Sequence, residues 1–184
     1  MQIIVLFILF LYLLLILKYW IGWTKNKATA VSHFSPKVSV IIAMRNEQEQ
    51  VLHLLSELNK QVYPIDKLEF ILVNDHSTDS TLELLENSAI DNLRVLNMPE
   101  GMFGKKSAIA RAMKDATGEI ILASDADCSF SPIWVHTMVA YFTNKNIKLV
   151  SGPVSYHRQK GIFLGLQTLE FISLIGSGAG SIGV

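Results

Sequence analysis

The amino end of the chain is an uninterrupted apolar run, and no other feature constrains the fold as strongly. Residues 3–17 contain no polar group except the Tyr12 hydroxyl, and apolar residues resume after Lys18 and continue to Trp23. A helix over residues 2–23 would reach about 30 Å at ~1.5 Å per residue, which is enough to cross a bilayer. We therefore predict a transmembrane anchor over residues 1–24, which helps to explain why 50% of the residues are hydrophobic.

The charges around this run predict its orientation. Lys25 and Lys27 follow it and no basic residue precedes it, so the positive-inside bias places the rest of the chain in the cytoplasm. The alternative is a cleaved signal peptide, because residues 28–30 resemble a small-residue cleavage site. The missing basic amino end and the long apolar core favour a single-pass anchor instead.

The overall charge argues against one class of partner. The chain has 184 residues with 16 basic and 16 acidic side chains, so its formal net charge of zero gives no electrostatic support to nucleic-acid binding. Cys128 is the single cysteine, which rules out an internal disulfide. The length leaves room for one domain of ordinary size and a short appendage.

Strand-like and helix-like segments alternate beyond a linker that we predict at residues 25–37. Short apolar runs rich in β-branched residues predict five strands, and segments with apolar residues at helical spacing separate them. This alternation predicts a mostly parallel sheet with helices on both faces, a Rossmann-like three-layer α/β sandwich. The predicted strands are residues 38–43, 68–73, 93–96, 119–124 and 148–154, and the predicted helices are residues 47–61, 106–117, 132–142 and one opened by a capping box at residues 80–83.

Ligands of such folds bind at the carboxyl ends of the strands, and paired acids follow the fourth predicted strand. Asp125 and Asp127 would repel each other there unless a cation lies beside them. Mg²⁺ commonly binds through one or two carboxylates together with substrate phosphates, so this pair predicts a divalent cation beside a diphosphate. Lys105 and Lys106, near the start of a predicted helix, are placed to assist at the same phosphates.

Four blocks of sequence, taken together, are far more specific than the Asp-x-Asp pair alone. The blocks are VSVIIAMRNE at 38–47, LVNDHSTDST at 72–81, GKKSAIA at 104–110 and GEIILASDAD at 118–127. In this order and spacing they resemble family 2 glycosyltransferases of the GT-A fold, and the resemblance covers about residues 36–154.

The resemblance implies roles for individual residues. Asp75 matches the acid that faces the nucleotide base, and Arg45 and Glu47 lie in the segment that lines the nucleotide pocket. Asp125 and Asp127 match the DxD motif, in which the last Asp binds the metal and the first approaches the ribose or sugar. The implied cofactor is Mg²⁺ or Mn²⁺. The implied reaction is inverting transfer of a sugar from a nucleotide-diphosphate sugar to a lipid or glycan acceptor at the cytoplasmic membrane face.

Three positions depart from the family pattern. Asn74 replaces the first acid of the usual Asp-Asp pair, Ala43 replaces a frequent Pro, and His76 stands where Gly is common. These departures bear on the identity of the donor. No second His or Cys pairs with His76 at metal-ligand spacing, so we predict a loop residue there rather than a catalyst.

The general base that inverting transfer needs is missing from the recognisable motifs. In the family it belongs to a Glu-Asp type motif that precedes a Gln-x-x-Arg-Trp type motif, and neither is found; after Asp127 the only acid is Glu170. We therefore expect residues 38–160 to form the nucleotide-sugar-binding domain of a truncated transferase and residues 161–184 to begin its acceptor region. The alternative is a non-catalytic, membrane-anchored module that binds nucleotide or partner subunits.

Residues 162–184 are apolar and rich in Gly. Two interpretations remain open for them. They either lie against the membrane surface or form a core segment that is exposed by truncation.

Overall fold

The computed structural model describes residues 2–25, 34–156 and 161–182. The chain divides into two compact units, one of residues 1–29 and 151–184 and the other of residues 30–150. Most of the linker predicted at 25–37 and the predicted domain end at residue 160 lie outside the described residues. Along the chain, the helices and strands are α1 (Gln2–Lys25), β1 (Val38–Met44), α2 (Gln48–Asn59), β2 (Leu68–Asn74), α3 (Thr81–Glu86), β3 (Leu93–Asn97), α4 (Lys105–Asp115), β4 (Ile120–Ser124), α5 (Trp134–Ala140) and α6 (Ile162–Ile182), with 3₁₀ turns at Ile65–Lys67 and Tyr141–Thr143.

The larger unit is built on a parallel sheet with the strand order β3-β2-β1-β4. The first strand is buried on both faces, as its nearly continuous apolar sequence predicts. Its alternate residues enter two cores: Val40 and Ile42 pack with α2, α3 and α5, whereas Ile41 packs with Ala108 and Ala112 of α4. The predicted three-layer α/β fold and its first four strands are confirmed.

The predicted fifth strand is wrong. Residues 147–156 form no regular secondary structure, and Leu149 is 87% exposed. Gly152 and Pro153 give the physical reason, because Gly offers no side chain to pack and Pro cannot donate a hydrogen bond to a ladder. The apolar residues of this segment match the sequence pattern of a strand, but Gly152 and Pro153 disfavour pairing of its backbone in a sheet.

Three predicted helix ends also differ in detail. Helix α5 begins at Trp134, because residues 131–134 form a turn in which the Trp134 N–H donates to the Ser131 carbonyl at 2.9 Å. Helix α4 ends at Asp115, two residues before the predicted end, and Ala116 is extended. At the start of α3 the first backbone N–H, that of Thr81, is satisfied by Asp79 at 3.0 Å rather than by a capping box.

Gly118 is required by the packing of three strands. Its N–H donates to the Ser39 hydroxyl at 2.8 Å, and an added Cβ would lie 2.7 Å from that oxygen. The hydroxyl of Ser39 in turn donates to Glu69 at 2.5 Å, and the same carboxylate oxygen accepts the backbone N–H of Thr117 at 2.6 Å. These bonds join β1, β2 and the start of β4 at the amino end of the sheet.

The Glu69 carboxylate is ionised in this network. Burial acts to raise its pKa, but the bonds from Ser39 and Thr117 and the nearby Arg94 together hold the pKa below the usual range. Because the folded pKa is lowered, its stabilising contribution is present above the unfolded value of about 4.3 and is lost as the pH falls through the lower folded value.

The smaller unit contains α1 and α6, which pack against each other. Gly180 lies so close to the backbone of Tyr19 that an added Cβ would be 2.9 Å from the Tyr19 Cα. By length and composition, both α1 and residues 162–181 could cross a membrane. The N-terminal apolar helix is confirmed as a candidate span, and α6 adds a second candidate to the one predicted.

We expect Glu69→Gln to lower the free energy of unfolding near pH 7 by about 1 to 2 kcal/mol, because the charge-assisted part of three hydrogen bonds is lost. The difference from the wild type should shrink as the pH falls below about 4. Urea unfolding at several pH values measures it, with the exposed Glu86→Gln as the matched control. An unchanged stability at pH 7, or a difference that persists at low pH, would contradict this account of the network.

Candidate functional site

A cleft of about 290 Å³ opens at the carboxyl ends of β1, β2 and β4. Every predicted site residue except Lys106 lies on its wall. Lys106 is exposed on the first turn of α4, outside this lining. The lining residues are Ala43, Met44, Arg45, Glu47, Asp75, Lys105, Asp125, Ala126 and Asp127.

The register of the sheet explains why residues so distant in sequence meet here. Met44 at the end of β1 pairs with Asn74 at the end of β2, and Ile42 pairs with Ser124 at the end of β4. All three strands run parallel, so the chain leaves each of them at the same edge. Arg45, Asp75 and Asp125 are the first residues beyond the three ends.

The loops after β1 and β2 are joined by reciprocal hydrogen bonds. The side-chain oxygen of Asn46 accepts the backbone N–H of Thr78 at 2.8 Å, and the Ser77 hydroxyl accepts the N–H of Asn46 at 3.0 Å. Asn46 has a φ of 55°, a left-handed conformation that Asn tolerates well. These three residues were not predicted as site residues, although polar residues after two adjacent strands are a signal for such a junction.

Asp75 is the most firmly held side chain of the cleft. It is 7% exposed; one carboxylate oxygen accepts the Gly104 N–H at 2.8 Å, and the other lies 3.0 Å from Nδ1 of His76. Burial acts to raise its pKa, but the bonds from His76 and Gly104 and the charge of Arg45 together lower it. Asp75 is therefore an ionised, fixed acceptor for a ligand that offers a hydrogen-bond donor.

The departures from the family pattern at Asn74 and His76 have local explanations. Asn74 donates through its amide to the Asn97 side chain at 2.9 Å and accepts from the Ser77 N–H at 3.2 Å, and an aspartate could not make the first bond. His76 has a φ of 57°, the left-handed region that favours Gly. Its ring packs on Phe103 at 4.5 Å between centroids, and its placement as a loop residue is confirmed.

The paired acids follow β4 and line the same cleft as Asp75. Asp125 is 57% exposed and pairs with the Lys105 ammonium, while Asp127 is exposed. No group of three His, Cys, Asp or Glu side chains able to hold a metal occurs among the described residues. Two carboxylates without a nitrogen or sulfur ligand fit a hard cation such as Mg²⁺ or Mn²⁺ that completes its shell with phosphate oxygens and water.

Comparison with known proteins finds relatives that include a glycosyltransferase and a polysaccharide synthase. Glycosyltransferase AglE from Haloferax volcanii is 32% identical over 128 residues, which are 68% of this chain and 42% of AglE. Poly-beta-1,6-N-acetyl-D-glucosamine synthase from Staphylococcus epidermidis is 31% identical over 76% of this chain and 34% of the synthase. The chain thus spans less than half the length of these curated relatives.

A solved structure and a family model agree with these relatives. The mannosyltransferase PcManGT from Pyrobaculum calidifontis, in complex with GDP-Man and Mn²⁺, superposes with a TM-score of 0.62 and 29% identity over 71% of this chain and 40% of PcManGT. The model of Glycosyl transferase family 2 matches residues 39–178, which include every lining residue of the cleft and most of α6. With the cleft geometry, these matches show that the chain belongs to glycosyl transferase family 2.

Proposed function

We propose that this cleft binds a nucleotide-sugar donor with a divalent cation, and that the protein transfers the sugar, with inversion, to a lipid or glycan acceptor. The observation that carries the proposal is that four separate segments of the chain line one cavity. They bring the basic side chains of Arg45 and Lys105 together with four carboxylates. Membership of a glycosyltransferase family supports the reaction class. GDP-Man with Mn²⁺ in PcManGT supports the class of donor and of cation.

Asp75 recognises the base of the donor in this proposal. Its ionised carboxylate lies at the inner wall of the cleft with a fixed orientation, and both uracil and guanine present N–H groups that such an acceptor can bind. Arg45 and Glu47 also line the cleft, and in this proposal they contact the nucleotide.

Asp125 and Asp127 hold the cation, and Asp125 also approaches the ribose or sugar. When bound, the cation stabilises the negative charge that develops on the departing nucleoside diphosphate. Lys105 pairs with Asp125 and would turn to the diphosphate once that carboxylate holds the cation. Lys106, on the exposed side of the same helix turn, is at most a peripheral partner of the phosphates.

Helix α1 anchors the protein with the transferase domain on the cytoplasmic side. Lys25 and Lys27 follow the helix and support this orientation. Glu170 lies near the middle of α6, where a charge would cost about 2.5–3.5 kcal/mol at the centre of a bilayer. This cost favours α1 as the single span.

The second candidate function is nucleotide binding without transfer. The four carboxylates that line the cleft are Glu47, Asp75, Asp125 and Asp127, and the donor and the cation engage all of them. No further acid on the cleft wall, within the part of the chain that the structure describes, is left to deprotonate an acceptor hydroxyl. Radiolabelled sugar transfer to membrane lipid by the whole chain, measured beside nucleotide binding, separates the two functions.

Removing one metal ligand tests the cation. We expect UDP or GDP to bind the wild type more tightly when Mn²⁺ is added, and Asp127→Asn to weaken Mn²⁺ binding by at least about 10-fold, the scale on which even outer partners affect a metal site. Calorimetry with and without Mn²⁺ measures both affinities, and Asp91→Asn, an exposed acid away from the cleft, is the control. Equal nucleotide affinity with and without Mn²⁺ in the wild type would count against the site.

Lys105 and Lys106 form a matched pair of variants. Lys105→Met removes the ammonium group that competes with Mn²⁺ for Asp125. Mn²⁺ should therefore bind about five-fold more tightly without nucleotide, whereas UDP or GDP should bind more weakly. Lys106→Met should change both affinities much less, because Lys106 is outside the lining. Parallel effects of the two substitutions would show that Lys105 acts only through the general charge of the surface.

A further inference from the structure

Helix α2 presents a row of polar side chains on one side, while its other side enters the core. The polar residues are His53, Glu57 and Gln61, spaced four residues apart, and Gln61 lies just beyond the end of the helix. The buried residues of α2 are Val51, Leu54, Leu55 and Leu58. We call these three polar residues the α2 row.

Each member of the α2 row bonds the segment that follows the paired acids. Nε2 of His53 lies 2.9 Å from the Ser129 hydroxyl, and Glu57 accepts the Phe130 N–H at 3.3 Å. Gln61 donates to the Ser131 carbonyl at 2.9 Å and accepts the Val135 N–H at 3.2 Å.

Glu57 is ionised when it makes this bond. Its hydrogen bond from Lys60, at 3.1 Å, holds the pKa of the carboxyl below its usual range, against a smaller opposing effect of burial. An ionised carboxylate is the stronger acceptor for a backbone N–H. The bond from the Phe130 N–H is therefore charge-assisted at neutral pH.

Asp127 lies in a turn between β4 and α5, and these bonds hold the part of the turn that follows Asp127. The part that precedes Asp127 is held because Ser124 pairs with Ile42 of β1. Between the two attachments, Ala126 and Phe130 are buried, and Phe130 packs on Trp134 with 4.4 Å between ring centroids. The Asp127 carboxylate itself has no hydrogen-bond partner among the described residues, so the backbone of the turn determines where this side chain enters the cleft.

We propose that His53, Glu57 and Gln61 are positioning residues that set the direction of the Asp127 carboxylate for a divalent cation. The proposal rests on the donor and cation site proposed above. None of the three lines the cleft, so they act through the turn and not by touching the ligand. Outer partners of this kind tune metal affinity because the cation demands a narrow geometry of its ligands.

The test compares Mn²⁺ affinity with nucleotide affinity in single variants of the full chain. In Glu57→Ala and Gln61→Ala we expect Mn²⁺ affinity, measured by electron paramagnetic resonance of free Mn²⁺ at saturating UDP or GDP, to fall about 10-fold. The affinity for the same nucleotide without metal should stay at the wild-type value. Glu57→Gln keeps an acceptor for the Phe130 N–H and should retain most of the Mn²⁺ affinity, and Ser56→Ala, exposed on the same helix, is the matched control.

The outcomes distinguish the role of the α2 row from the cation site on which that role depends. Wild-type Mn²⁺ affinity in both alanine variants would overturn the role of the α2 row while leaving the cation site intact. A fall of metal-free nucleotide affinity in parallel with Mn²⁺ affinity would also overturn it, because it would show a general loss of structure. If either variant fails to fold, His53→Ala removes one exposed bond and gives the same comparison. A wild type that binds no Mn²⁺ would remove the cation site itself, and the proposal with it.

Discussion

The pairing of β1 with β2 on one side and β4 on the other is the constraint on which the site depends. Parallel pairing brings three carboxyl ends to one edge, and a slip of one residue in any strand would turn its alternate side chains to the opposite face. The register is secured at the other end of the sheet, where Ser39, Glu69 and Gly118 are joined by hydrogen bonds. The cleft is thus supported by a network at the far end of the same strands.

The acids of the cleft are held in two different ways, which suit two tasks. Asp75 is buried and both of its oxygens contact the protein, so its carboxylate has a fixed orientation toward a ligand. Asp125 and Asp127 are exposed, and Lys105 balances only the first of them. A rigid acceptor suits recognition of a flat base, whereas an open pair of carboxylates can admit a hydrated cation and the phosphates that accompany it.

The sequence was sufficient to predict the four strands, because β-branched runs identify buried parallel strands. The polar residues after the strands share one edge, and together with the family resemblance they identified the charged residues of the cleft, although Lys106 lies outside it. The sequence misplaced a strand at residues 148–154, where the apolar pattern was present but Gly152 and Pro153 could not support a ladder. The bonds of Asn46 to the next loop and of Gln61 to Ser131 join segments far apart in the chain. No local pattern contains such contacts, so they became visible only in three dimensions.

A crystal structure of the chain with Mn²⁺ and UDP or GDP, with the anomalous scattering of manganese used to locate the ion, tests the proposed cation site most directly. We predict one anomalous peak in the cleft, within coordination distance of Asp127 and of the diphosphate, with the base against Asp75. A nucleotide bound in the cleft without manganese, or manganese bound away from Asp125 and Asp127, would contradict it.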